Sequence, residues 1–151
     1  MDGILHSEEF GTRGMPPLIC LHGLLGSSRN WRSVAKDLAS DFRVWALDLP
    51  NHGDSFHRED ASVKAMAMEL LHWLDQQKLG SVTLCGHSLG GKVAMRFACD
   101  HPKRIQKLVI ADIAPRDYPP EHHVPTLEAL LSLDLSGLNS RKEADEALAS
   151  Q

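Results

Sequence analysis

Short continuous apolar runs alternate along this chain with longer apolar stripes at helical spacing. After the breakers Gly14-Met15-Pro16-Pro17, the run Leu18-Ile19-Cys20-Leu21 predicts a buried strand. Trp31, Val34, Ala35 and Leu38 then recur at helical spacing behind the candidate caps Ser27, Ser28 and Asn30, predicting a helix. The order repeats: Arg43-Val44-Trp45-Ala46-Leu47 is strand-like, and Val63, Met66, Ala67, Leu70, Leu71 and Leu74 form a second helical stripe that Gly80 is expected to close. Val82-Thr83-Leu84-Cys85 gives a third strand, a small-residue helix from Leu89 through Ala98 stops at Pro102, and Leu108-Val109-Ile110-Ala111 is a fourth apolar run. A further strand is expected around His6 to Phe10. Apolar strands alternating with helices imply an α/β fold, a mostly parallel sheet covered by helices on both faces.

Beyond Ala114 the character changes. Pro115, Pro119, Pro120 and Pro125 make a loop, a short apolar helix is expected from Leu127 to Leu133, and Ser140-Arg141-Lys142-Glu143 has the capping-box form before the stripe Ala144, Ala147 and Leu148. Residues 1–114 therefore read as the core, and 115–151 as the start of a helical cap insertion. A helix that has just begun at the chain end suggests a truncated sequence.

Bulk properties narrow the functional classes. The 151 residues are 42% hydrophobic and 24% charged, which suits one globular domain. A formal net charge of −4 without a basic tract argues against nucleic acid as a partner. With no apolar run near the roughly 20 residues of a membrane span and an acidic start at Met1-Asp2-Gly3, a cytoplasmic protein with no membrane partner is expected. Cys20, Cys85 and Cys99 lie in apolar stretches without metal-ligand spacing and read as buried reduced thiols.

Chemistry concentrates at Gly86-His87-Ser88-Leu89-Gly90. This G-x-S-x-G pentapeptide follows a predicted strand and opens a predicted helix, the context of a nucleophile elbow. The turn is too tight for side chains at either glycine, so Gly86 and Gly90 make room for Ser88. Its position at a helix start favours the negative charge of acyl transfer, with the Leu89 N–H as one oxyanion donor. His22-Gly23-Leu24-Leu25-Gly26 follows the first apolar strand, where a loop contributes the other donor, assigned to Leu24. Without Ser88 that loop would be read as a plain strand-to-helix turn.

Leu21-His22-Gly23, Asp48-Leu49-Pro50-Asn51-His52-Gly53-Asp54-Ser55, Gly86-His87-Ser88-Leu89-Gly90-Gly91-Lys92 and Lys107-Leu108-Val109-Ile110-Ala111-Asp112-Ile113-Ala114-Pro115 occur in the order seen in α/β-hydrolases, and the chain resembles the bacterial YbfF-type serine esterases. The resemblance implies a partial α/β-hydrolase fold in which the strand ending at Leu21 lies between those ending at Leu47 and Cys85, with the active site at the carboxyl ends of the strands. It also implies that Asp112 can serve as the triad acid; the alternative is a residue bracing the loop into Pro115. Asp48 is read as loop bracing.

The catalytic histidine of this family follows the last strand of a chain of roughly 250 residues, so none is expected here. His22, His52 and His87 belong to turn motifs, His122 and His123 lie in the proline-rich segment, and no HExxH helix is present. The resulting expectation is a serine esterase acting on small or medium acyl esters or thioesters, with no cofactor and no metal, nearly inactive as this chain. Alternatives are a thioesterase or carbon–carbon bond hydrolase on the same scaffold, or a non-catalytic or split-assembly module. Truncation would leave Leu108–Ala111 as a sheet edge open to dimerisation.

Overall fold

The computed structural model describes residues 3–119, 121 and 123–149. Five strands form one sheet: β1 (Ser7–Phe10), β2 (Pro17–Leu21), β3 (Arg43–Leu47), β4 (Val82–His87) and β5 (Ile105–Ala111). Their order is β1-β3-β2-β4-β5, with β1 antiparallel to β3 and every other pair parallel. The strand ending at Leu21 thus lies between β3, which ends at Leu47, and β4, as the resemblance implied, β4 running past Cys85 to His87. This is the point where successive connections leave the sheet in opposite directions, the place where open α/β sheets carry their ligand sites.

The continuous apolar runs follow from cover on both faces, because the side-chain period of a strand is two. Ile19, Leu21, Trp45, Leu47, Val82 and Leu84 point to one side and pack against α2 (Val63–Gln76) and α3 (Leu89–Asp100) through Leu70, Trp73, Leu74, Val93 and Phe97. Leu18, Cys20, Val44 and Ala46 point to the other and meet Ala35 of α1 (Arg32–Leu38), flanked by Trp31 and Leu38. Cys20 stands in register with Cys85, and its hydrogen bond with that thiol, together with burial, pushes the Cys20 thiol up. Cover thins towards β5, where Leu108 and Val109 are 38% and 49% exposed.

Three local expectations are corrected. The helix containing Val34 is preceded by a 3₁₀ turn, Ser28–Trp31, in which the Asn30 side chain accepts the Ser27 N–H at 2.7 Å. Lys78, not Gly80, takes the left-handed conformation that ends α2, at φ 56°, while the Arg104 guanidinium donates to the carbonyls of Leu79 and Gly80 at 2.7 Å. The long cation supplies from outside what a glycine cap supplies locally. Cys99 is exposed, because the outer face of α3 points away from the sheet.

The chain divides into two compact units, Met1–Pro115 and Arg116–Gln151. The second contains α4 (Val124–Ser132), a 3₁₀ turn (Leu135–Gly137) and α5 (Arg141–Ala149). At the start of α5 the Ser140 hydroxyl accepts the Glu143 N–H at 3.2 Å, and the Glu143 carboxylate accepts the N–H of Asn139 at 2.8 Å, one residue before the Ser140 amide of a regular capping box. Pro120 and His122 of the proline-rich segment lie outside the described residues.

Candidate active site

Ser88 caps α3 with φ 50° and ψ −113°, backbone angles that an L-residue holds only when its surroundings enforce them. The enforcement is visible on every side. A Cβ at Gly86 would collide with the Gly90 carbonyl, and one at Gly90 with the carbonyls of Leu21 and His22, so the two glycines allow the helix to start directly against β4 and β2. The Ser88 N–H donates to the Ala111 carbonyl and the Gly90 N–H to the His22 carbonyl, both at 3.0 Å, while the Ser88 carbonyl accepts the Lys92 N–H at 3.1 Å. The elbow is tied to β5 on one flank and to the end of β2 on the other. Ser88 itself is half-buried, and among the described residues none hydrogen-bonds its hydroxyl.

The loop after β2 lies beside it. A Cβ on Gly23 would come within 3.4 Å of the Ser88 Cβ and 3.0 Å of His87 Nδ1, so only a bare backbone passes there. A turn closes the loop through Gly26 N–H to Gly23 O at 3.0 Å, and Leu25 sits at φ 60°. Among the described residues, neither the Leu24 nor the Leu89 amide donates to any group, whereas Gly90, next in the helix, is already engaged. A cleft of about 470 Å³ opens here, walled by Gly23, Leu24, Leu25, Trp31, Val34 and His87.

Asp112 follows directly on β5 with φ 56°, a conformation that aspartate tolerates better than most residues. The Ser88–Ala111 hydrogen bond holds the adjacent strand ends together, but the Asp112 side chain is 88% exposed, and the His87 ring lies 3.6 Å from its carboxylate. That pairing was not foreseen from sequence; the alternation of side chains along paired parallel strands, which sets His87 in register with Ala111, is the signal that leads to it. At 3.6 Å the two side chains lie beyond hydrogen-bond reach.

Beneath the loop lies a buried polar brace. Asp48 is 1% exposed and accepts the N–H groups of Ser28 at 2.5 Å and Asp54 at 2.9 Å, together with His6 Nδ1 at 2.9 Å. Burial alone would raise its carboxyl, but these bonds outweigh that and hold it below the usual carboxylate range. His6, Asp48 and Asp54 place ligand atoms within 4.8 Å of one another, and each Asp48 oxygen accepts a loop amide, so the group braces the loop. His22, 1% exposed, accepts the Leu49 N–H at Nε2 (3.0 Å), and its Nδ1 lies 2.7 Å from the Gly23 carbonyl. Burial pushes its imidazole down, which favours the neutral ring.

A half-buried serine is strained at a strand-to-helix elbow, with the unengaged amides of Leu24 and Leu89 in the loop and the helix turn on either side of it, the form of a nucleophile elbow. Comparison with known proteins agrees. The sequence profile of the alpha/beta hydrolase fold matches residues 16–140, and the chain belongs to that family. It is 37% identical over 147 residues to the sn-1-specific diacylglycerol lipase ABHD11 of Mus musculus, covering 93% of this chain and 48% of that protein. Against esterase YbfF of Escherichia coli it is 37% identical over 128 residues, covering 85% and 50%. Among solved structures, a marine microorganism esterase superposes with a TM-score of 0.93 at 40% identity, covering 99% of this chain and 59% of that one. The chain spans about half the length of the curated relatives it matches. No helix among the described residues is long and apolar enough to cross a membrane.

Proposed function

We propose that this chain carries the nucleophile half of a serine ester hydrolase acting on small or medium acyl esters or thioesters. The observation that carries the proposal is the strained Ser88 elbow with the Gly23–Leu24 loop packed beside it and the Leu24 and Leu89 amides left without partners among the described residues. The Ser88 oxygen attacks the acyl carbonyl, and its proton passes to a histidine base. The two amides receive the oxyanion, and collapse expels the alcohol or thiol, which takes the proton from the base. Water then releases the acyl group by the same route. Asp112 is the acid that orients the base, and the apolar wall of Leu24, Leu25, Trp31 and Val34 suits an acyl chain. No step calls for a cofactor.

The base is the part that the described residues do not provide, since none of their histidines bonds Ser88. Hydrolysis by this chain is therefore expected to stay near the level that an oxyanion site alone sustains, roughly 10³–10⁴ over water. Unpaired Cys20, Cys85 and Cys99 fit a cytoplasmic setting. Self-association along the thinly covered edge of β5 is the expected partnership, read by sedimentation over a range of concentrations.

Chemical rescue tests the assignment: p-nitrophenyl acetate, butyrate and octanoate hydrolysis is followed with and without added imidazole. The expected result is an imidazole-dependent increment in the native chain that Ser88→Ala abolishes. Equal increments in the two proteins would remove Ser88 from the mechanism and favour a non-catalytic module.

A further inference from the structure

The buried His22 holds a single tautomer, and the hydrogen bonds around its ring fix which one. The Leu49 amide can only donate, so Nε2, 3.0 Å from it, must be the acceptor nitrogen. The ring proton is then on Nδ1 and is donated to the Gly23 carbonyl at 2.7 Å. That carbonyl also accepts the Gly26 N–H at 3.0 Å, so both of its lone pairs are committed on the loop's inner side. Gly23 C=O and Leu24 N–H belong to the same peptide unit. In a trans peptide these two bonds point in opposite directions, and no cis peptide occurs among the described residues. Fixing the carbonyl toward His22 therefore fixes the Leu24 N–H away from it. The His22 carbonyl meanwhile accepts the Gly90 N–H, tying the same residue to the start of α3 one position beyond Leu89.

We propose that His22 is a positioning residue for the oxyanion site: its Nδ1–H, donated to Gly23, aims the Leu24 amide, while its backbone carbonyl registers that loop against the Ser88 elbow. The proposal rests on the reading of Ser88 as nucleophile and names a residue that touches no substrate. His52, whose ring lies 5.0 Å from that of His22, and Asp48 are the titratable neighbours, and the Leu49 amide leaves no room for a proton on Nε2.

Two readouts on the full 151-residue chain test it. Two-bond ¹H–¹⁵N correlation of the imidazoles at neutral pH should show His22 with a protonated Nδ1 and a pyridine-type Nε2; the opposite tautomer or an imidazolium overturns the proposal. The second readout is the rate at which a fluorophosphonate modifies Ser88 with imidazole added as the external base. In His22→Asn the side-chain amide reaches the Nδ1 place and can still donate to Gly23, whereas in His22→Gln it reaches the Nε2 place and leaves Gly23 without that donor. Asn should keep the rate within about threefold and Gln should lower it by about 10²-fold, the usual cost of one oxyanion donor, with similar losses of Tm in both. Rates that fall equally and follow Tm would make His22 merely structural and overturn the proposal. If the native chain is not modified at Ser88, the nucleophile reading fails instead, and the Leu24 amide resonance of His22→Gln decides the peptide lock: an unmoved resonance defeats it.

Discussion

β4 and β5 run side by side in parallel register and each delivers, at its carboxyl end, a residue in the left-handed region, Ser88 at φ 50° and Asp112 at φ 56°. Their surroundings differ. Val82 and Leu84 of β4 are fully buried, and the Ser88 elbow is pinned by Ala111, His22 and Lys92, with glycines wherever a side chain would strike backbone. On β5 Leu108 and Val109 face solvent in part, and Asp112 projects, its side chain 88% exposed, with His87 3.6 Å away. A backbone conformation enforced from all sides can be strained and still be single-valued; one at a sheet edge is held by its own preference. The Ser88 elbow is thus built within the described core, and Asp112 stands at its margin.

The sharpest break in that contrast is Gly90→Val. Its branched side chain would meet the Leu21 and His22 carbonyls, neither of which can yield without moving β2, and a loss of about 3 kcal/mol or more in urea unfolding is expected. Next comes the strand pair itself: Leu84→Ala in β4 should cost about 3 kcal/mol and Val109→Ala in β5 less than about 1 kcal/mol, both read by chemical denaturation. Equal costs would mean that the two strands are equally well packed.

Asp48→Asn probes the brace beneath the loop and should lose about 2 kcal/mol at neutral pH, since buried amides lose a charged acceptor. Because the folded-state pKa of Asp48 lies below its unfolded value near 3.9, its contribution is complete above that pH and is lost as the pH falls through the folded value. The variant should therefore show a flatter acid limb below about pH 4 in thermal melts. Smallest are the two strand-end residues. Ser88→Gly, relieved of its strain, should gain about 1 kcal/mol, whereas Asp112→Ala should change stability by no more than about 0.5 kcal/mol.

What the sequence made legible divides along the same line. The strands β2 to β5, the helical stripes and the elbow are local patterns, so a run such as Leu18–Leu21 or the pentapeptide around Ser88 carries its own explanation. Gly80 misled because the end of α2 is closed by Arg104, 24 residues away, and a cap supplied from a distance leaves no mark nearby. His22 looked like part of a turn motif because its bond to Leu49 spans 27 residues. The His87–Asp112 approach needs the register of two strands before it can be seen. Asp48 was read as a loop brace on its place at a strand end, and its hydrogen bonds to Ser28 and Asp54 fill in which loops it braces.

Treatment of the native 151-residue chain with a fluorophosphonate in the presence of added imidazole as the external base, followed by peptide mapping in a mass spectrometer, asks most directly whether the hydroxyl at the elbow is the reactive one. A single adduct on the peptide bearing Ser88, absent from Ser88→Ala, is the predicted result. An unmodified chain, or an adduct on another serine that survives the substitution, would contradict it.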